Sequence, residues 1–94
     1  MPMIGGTGWR YTHINSNATT TVITGSGTLQ AIIVNAPGSA WVATIYDNTA
    51  GSGTVIGAMT ITANQPFLGP VQVNTGCTIV TSGTTPGDLT VLWA

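Results

Sequence analysis

Apolar and polar side chains alternate along this chain in short runs, and nearly every run stops at a cluster of Gly, Pro, Asn or Ser. Between residues 41 and 46, Trp41, Ala43 and Ile45 fall on one side of an extended strand, with Val42, Thr44 and Tyr46 on the other. Leu89, Val91 and Trp93 oppose Asp88, Thr90 and Leu92 in the same way. No window places apolar residues at the three-and-four spacing of a helix, so helix is nearly absent. Segments rich in β-branched and aromatic residues predict strands at Trp9 to Asn15, Ala18 to Thr24, Thr28 to Asn35, Ala40 to Asp47, Thr54 to Thr62, Phe67 to Asn74, Cys77 to Ser82 and Leu89 to Trp93. About eight short strands in a single 94-residue domain imply an all-β fold, a barrel or sandwich, which we take as an antiparallel β-sandwich.

Turn chemistry supports the same boundaries independently. Gly25-Ser26-Gly27 can supply positive φ between strands, while Asn35-Ala36-Pro37-Gly38 and Thr85-Pro86-Gly87-Asp88 put Pro and Gly in the order a type II turn prefers. The longer stretch from Asp47 to Gly53 offers Asp and Asn side chains that can accept backbone N–H bonds, followed by glycines that reverse the chain.

Several strands carry apolar residues on both faces. From Thr28 to Val34, strict alternation sets Leu29, Ala31 and Ile33 against Gln30, Ile32 and Val34. A third layer does not fit in so short a chain, so the second apolar face is expected to meet another subunit. The residues expected at that subunit interface are Ile32, Val34, Val42, Tyr46 and Leu92.

Charge sharpens this picture by its scarcity. Arg10, Asp47 and Asp88 are the only charged side chains, beside one His13, and charged residues make up 3% of the chain against a usual ~25%. Hydrophobic residues at 43% exclude the common disordered class, which is poor in apolar residues and rich in charge. A net charge of −1 gives no field to attract nucleic acid or anionic lipid. No apolar run approaches the ~20 residues that span a bilayer, and no signal peptide is read at the start. Neither nucleic acid nor membrane is therefore expected as a partner. Lone Cys77 cannot form an internal disulfide, which fits synthesis in a reducing compartment, and oligomerisation remains as a way to supplement a small core.

Residues 1–8 contain three glycines and no charge and precede the first convincing strand, so they are expected to form a short N-terminal arm on a domain spanning 9–94. Met3, Ile4, Trp9 and Arg10 are the candidates for partner binding, with Arg10 as an anchor for a partner carboxylate or, alternatively, a cation stacked on a ring.

Catalytic chemistry lacks parts. A Cys77–His13 dyad would need the two in contact and a third group to orient the imidazole, whereas a buried thiol and a half-exposed strand histidine explain both residues. Asp47 and Asp88 could pair for acid–base work, yet each has a local turn role. One His and one Cys make a poor metal site, and one carboxylate per loop is too few for calcium. No catalytic, metal or cofactor site is expected. The aromatics Trp9, Tyr11, Trp41, Tyr46, Phe67 and Trp93 could form a sugar-stacking platform, although core and interface packing explain them as well. The Thr-rich patches have no fixed repeat of the kind an ice-binding array needs.

Tyr46-Asp47-Asn48-Thr49-Ala50-Gly51-Ser52-Gly53-Thr54, Gly76-Cys77-Thr78-Ile79-Val80-Thr81-Ser82-Gly83 and the closing Asp88-Leu89-Thr90-Val91 together resemble a group of small virion-associated proteins of tailed bacteriophages. The resemblance runs from about Tyr11 to Trp93 in turn and strand patterns. It implies a jelly-roll type of sandwich and a capsid decoration, or cement, protein. Such proteins commonly sit as homotrimers on the major capsid protein and stabilise the shell. Made in the host cytoplasm, this chain would then reside at the capsid surface of the virion. The alternative expectation is a glycan-binding β-module on a virion or host surface.

Overall fold

The computed structural model describes residues 9–62 and 66–94. Eight strands follow one another: β1 Arg10–Ile14, β2 Thr19–Thr24, β3 Gly27–Ala36, β4 Val42–Asp47, β5 Thr54–Thr60, β6 Phe67–Val73, β7 Gly76–Ser82 and β8 Asp88–Trp93. Each lies where alternation and turn residues place a strand, within two residues at either end. There is no helix among the described residues.

The strands form two antiparallel sheets, sheet A in the order β1-β8-β3-β6 and sheet B in the order β2-β7-β4-β5. Only the β4–β5 connection stays within one sheet; every other connection crosses from one sheet to the other. The pairing is nested, with β1 on β8, β2 on β7, β3 on β6 and β4 on β5. Two sheets of four strands with that nesting make a jelly-roll sandwich.

The core lies between the sheets because each strand turns its apolar set inward. Trp41, Ala43 and Ile45 are fully buried, as are Leu89 and Val91 on the facing sheet and Cys77 and Ile79 on β7. Two buried hydroxyls are satisfied by backbone, Thr81 Oγ1 donating to Ser16 O at 2.7 Å and Thr78 Oγ1 to Asn48 O at 2.8 Å. No described buried polar side-chain atom lacks a partner.

Strict alternation fails in β3, and this corrects two interface assignments. Against β8, the register runs Leu29↔Trp93 and then Ala31↔Leu92, so Gln30 is an extra residue that shifts the face of Ala31 to Val34, up to a second irregularity between Val34 and Ala36. Ile32 is therefore fully buried in the core and Val34 packs against it, while Ile33 points outward and is 41% exposed. Neither Ile32 nor Val34 lies on an outer face. A bulge inverts the two faces without changing the composition of the strand.

The two Pro-Gly turns also depart from expectation. Positive φ is found at Gly25, Gly53 and Gly83, and at Ala40 among non-glycine residues, but not at Gly38 or Gly87. These two glycines instead let two loops cross at close range. A Cβ on Gly38 would run into Thr85 O and come 2.9 Å from Gly87 N, and one on Gly87 would meet Ala36 O and Gly38 N. A bridge between Ser39 and Thr85 closes the same crossing.

Candidate interaction surfaces

The groups that could have done chemistry are held apart. Cys77 is opposite Ile23 on the inner side of sheet B and is fully buried, whereas His13 lies on the outer side of sheet A. The backbone of sheet A separates the thiol from the imidazole. Burial pushes the Cys77 thiol up to about 11, with the Asp47 charge adding to it, so at neutral pH it is an unreactive core side chain. Among the described residues no three His, Cys, Asp or Glu side chains converge as a metal site.

Each aspartate organises a junction. Asp47, at the end of β4, reaches across to the β6–β7 turn, where its Oδ1 accepts the N–H of Asn74 at 3.1 Å, Thr75 at 2.9 Å and Gly76 at 3.3 Å. The N–H groups of Thr75 and Asn74 chiefly hold its carboxyl below the usual carboxylate range. Asp88 opens β8 and is held down by Asn35, whose Nδ2 donates to it at 2.9 Å, and then by His13, whose Nε2 lies 2.5 Å away.

These shifts fix the form of the stability profile. A carboxyl depressed in the fold contributes stability that is fully present above its unfolded value, near 3.8, and lost as pH falls through the folded value. A thiol raised from 9.0 to about 11 acts at the other end, because the unfolded chain releases its proton first and stability declines between those values. Thermal melts should therefore show a broad plateau at neutral pH, with losses below about pH 4 and above about pH 9. Asp47→Asn should flatten the acid limb and Cys77→Ala the alkaline limb. An acid limb unchanged in Asp47→Asn and in Asp88→Asn would show that neither carboxylate is linked to folding.

The outer face of sheet A is assembled from β1, β8, β3 and β6. Direct cross-strand pairing places Tyr11 beside Leu92 and Leu92 beside Ala31, and in the next row His13 beside Thr90 and Thr90 beside Ile33. Tyr11 is 73% exposed. Asp88 and Asn35 close the far end, where Asn35 Nδ2 also donates to Thr90 Oγ1 at 2.7 Å. Trp9, which immediately precedes β1, is also exposed. Arg10 turns the other way and lays its guanidinium 5.8 Å from the centre of the Trp93 ring, while Trp93 Nε1 donates to Thr12 Oγ1 at 2.9 Å. Within the chain Arg10 thus lies over a ring, and among the described residues no carboxylate pairs with it.

Sheet B presents a different exterior. Val42 and Val55 are exposed there, and Tyr46, opposite Thr78, is half-buried. Part of this face is covered by the chain itself. The 48–53 loop folds back over β2 and β7, tied by Thr21 Oγ1 to Thr49 O and by Thr78 Oγ1 to Asn48 O. A Cβ on Gly51 would lie 2.8 Å from a Val80 methyl, so only glycine lets the loop approach this closely. At the other end of the β4–β5 hairpin a shallow groove of about 310 Å³ is lined by Val42, Ala43, Thr44, Ala58, Met59 and Thr60.

Of the residues expected at interfaces, Val42, Tyr46 and Leu92 lie on outer faces and Trp9 and Arg10 at the start of β1, while Met3 and Ile4 fall outside the described residues. Sequence reasoning missed the His13–Asp88–Asn35 cluster. Its members are up to 75 positions apart, and only the β1–β8 and β3–β8 registers bring them together. The chain matches no protein-family profile, no curated protein and no solved structure.

Proposed function

We propose that this chain is a structural protein of a tailed-bacteriophage particle, one that self-associates as a trimer and decorates and stabilises the capsid shell without catalysing a reaction. The observation that carries this reading is the exterior of the jelly roll. Its two broad faces offer exposed Tyr11, Ile33, Val42 and Val55 among hydroxyl side chains, with His13 and Asp88 as an internally paired exception. Such faces suit burial against like surfaces, since a soluble monomer would be expected to carry many more charges. The sandwich itself agrees with the fold implied by the phage resemblance.

The test is shell binding. Purified chain mixed with shells of the particle whose genome encodes it should pellet with them at high copy number. Removing residues 1–8 should leave the melt and the oligomer unchanged while weakening attachment. Arg10→Ala should weaken it at least about tenfold per contact if the guanidinium pairs with a shell carboxylate, because a desolvated charge pair that loses one partner costs about 2–5 kcal/mol. Absence of the protein from purified particles, or binding to a sugar array without any shell, would overturn the proposal in favour of a glycan-binding module.

A further inference from the structure

We infer that β1 is an exchangeable strand, seated in the oligomer on the β8 edge of a second copy of this chain. This inference rests on the self-association proposed above and gives it a mechanism. β1 is the first described strand, lies at the edge of sheet A and pairs with β8 alone. Of its five side chains only Ile14 is buried. Its inner positions, alternating with the exposed Tyr11 and His13, are Arg10, Thr12 and Ile14, and two of these three are polar. In the middle of the same sheet, β3 gives Leu29, Ala31 and Ile32 to the core. β1 is therefore a strand that can leave while withdrawing a single apolar side chain from the interior.

The connection to β2 favours exchange. Four residues, Asn15 to Ala18, carry the chain from sheet A to sheet B, and the last three are pinned. Ser16 O accepts Thr81 Oγ1 at 2.7 Å, Asn17 accepts Trp41 Nε1 at 2.8 Å and donates to Gly83 O at 3.0 Å, and Ala18 N donates to Thr81 O at 3.1 Å. β1 is left to swing about Asn15, and a hinge this short invites exchange between copies over closure within one. The β8 edge in turn specifies its occupant. It offers Asp88 to His13, the Trp93 indole N–H to Thr12 at 2.9 Å, the Trp93 ring to Arg10 at 5.8 Å, and Leu89 opposite Ile14. The segment that meets all four at this register is β1 itself, so the occupant is β1 of another copy. Every β1–β8 contact of the closed form is kept in the exchanged one, and no further patch of surface is required. Passed head to tail from copy to copy, the strand closes a ring of three as well as a pair. Association costs translational and rotational freedom, so exchange is concentration-dependent.

A mixture of isotopically labelled and unlabelled wild-type chains, followed from micromolar to millimolar concentration, tests this. Isotope-filtered NMR should show contacts between chains that link Thr12 to Val91 and Ile14 to Leu89. These pairs lie on the inner side of sheet A, where contact between the outer surfaces of two folded copies does not reach. Three glycines inserted between Asn15 and Ser16 should weaken association at least about tenfold, or about 1.4 kcal/mol, because they ease closure within one chain and alter no outer face. Sedimentation measures the association, and thermal melts establish that the insertion variant is folded. Wild-type association without those contacts between chains overturns the exchange while self-association stands. Association that the insertion does not weaken overturns the role given to the hinge. A wild type that stays monomeric throughout removes both the exchange and the self-association.

Discussion

Trp41→Ala should remove a large share of the stability of this protein. Trp41 is fully buried at the entrance to β4, and its indole Nε1 donates to Asn17 Oδ1 at 2.8 Å while its carbonyl accepts the Ile61 N–H at 2.8 Å. Truncation removes the largest fully buried side chain of the described core. It also removes the hydrogen bond to the Asn17 amide oxygen. Large-to-small changes of this kind cost about 3–5 kcal/mol, against a total of about 5–14 kcal/mol for a domain of this size. The midpoint of thermal unfolding should fall by at least about 12 °C, given ~4–8 °C per kcal/mol in a small domain. Asn17→Ala separates the ring from its polar contacts, because it leaves the ring in place while orphaning its N–H, at about 1–3 kcal/mol, and removing the bond from Asn17 Nδ2 to Gly83 O at 3.0 Å. A fall of less than about 5 °C for Trp41→Ala would mean that the surrounding loops collapse into the space.

Gly87→Ala should also be costly, and more so than Gly25→Ala, where φ is positive but the space is open. A Cβ there meets Ala36 O, Gly38 N at 2.6 Å and Pro37 C at 2.7 Å, all of them backbone atoms that cannot rotate away. Overpacking costs typically 1–3 kcal/mol, and rigid neighbours put this site at about 3 kcal/mol. Gly25→Ala provides the comparison. Its Cβ would find nothing within 4 Å, so it bears only the cost of a left-handed backbone at φ 87°, about 1–2 kcal/mol. Denaturant titration of both variants measures the order directly. The reverse order would show that the two crossing loops separate easily.

Alternation and turn residues sufficed to locate all eight strands, because each strand of a two-layer sandwich obeys the same inside–outside rule. The jelly-roll nesting followed only from resemblance, since nothing local in β1 names β8 as its neighbour. The limits of pattern reading are equally specific. Gln30 is an unremarkable strand residue, yet as a bulge it sends Ile32 inward and Ile33 outward. The Pro-Gly pairs at Gly38 and Gly87 look like turn glycines and are contact glycines, a distinction that depends on a second loop brought in from a distance. Of the outer-face residues, Val42, Tyr46 and Leu92 were legible from alternation within one strand. His13, Asp88 and Asn35 were not, because their proximity depends on the registers of three strands.

The nested pairing also bears on how the molecule comes into being. β8 sits between β1 and β3, so until residues 88–93 are synthesised the two have no strand between them in sheet A. A nascent chain that has passed β7 already contains nearly all of its buried apolar side chains, but Ile14 and Ile32 still lack the cover of Leu89 and Val91. Assembly of the sandwich is therefore gated by its last strand. In the interval the open seam is a hydrophobic edge that any neighbouring nascent copy could occupy, and crowding at the site of synthesis sets how often that exchange happens.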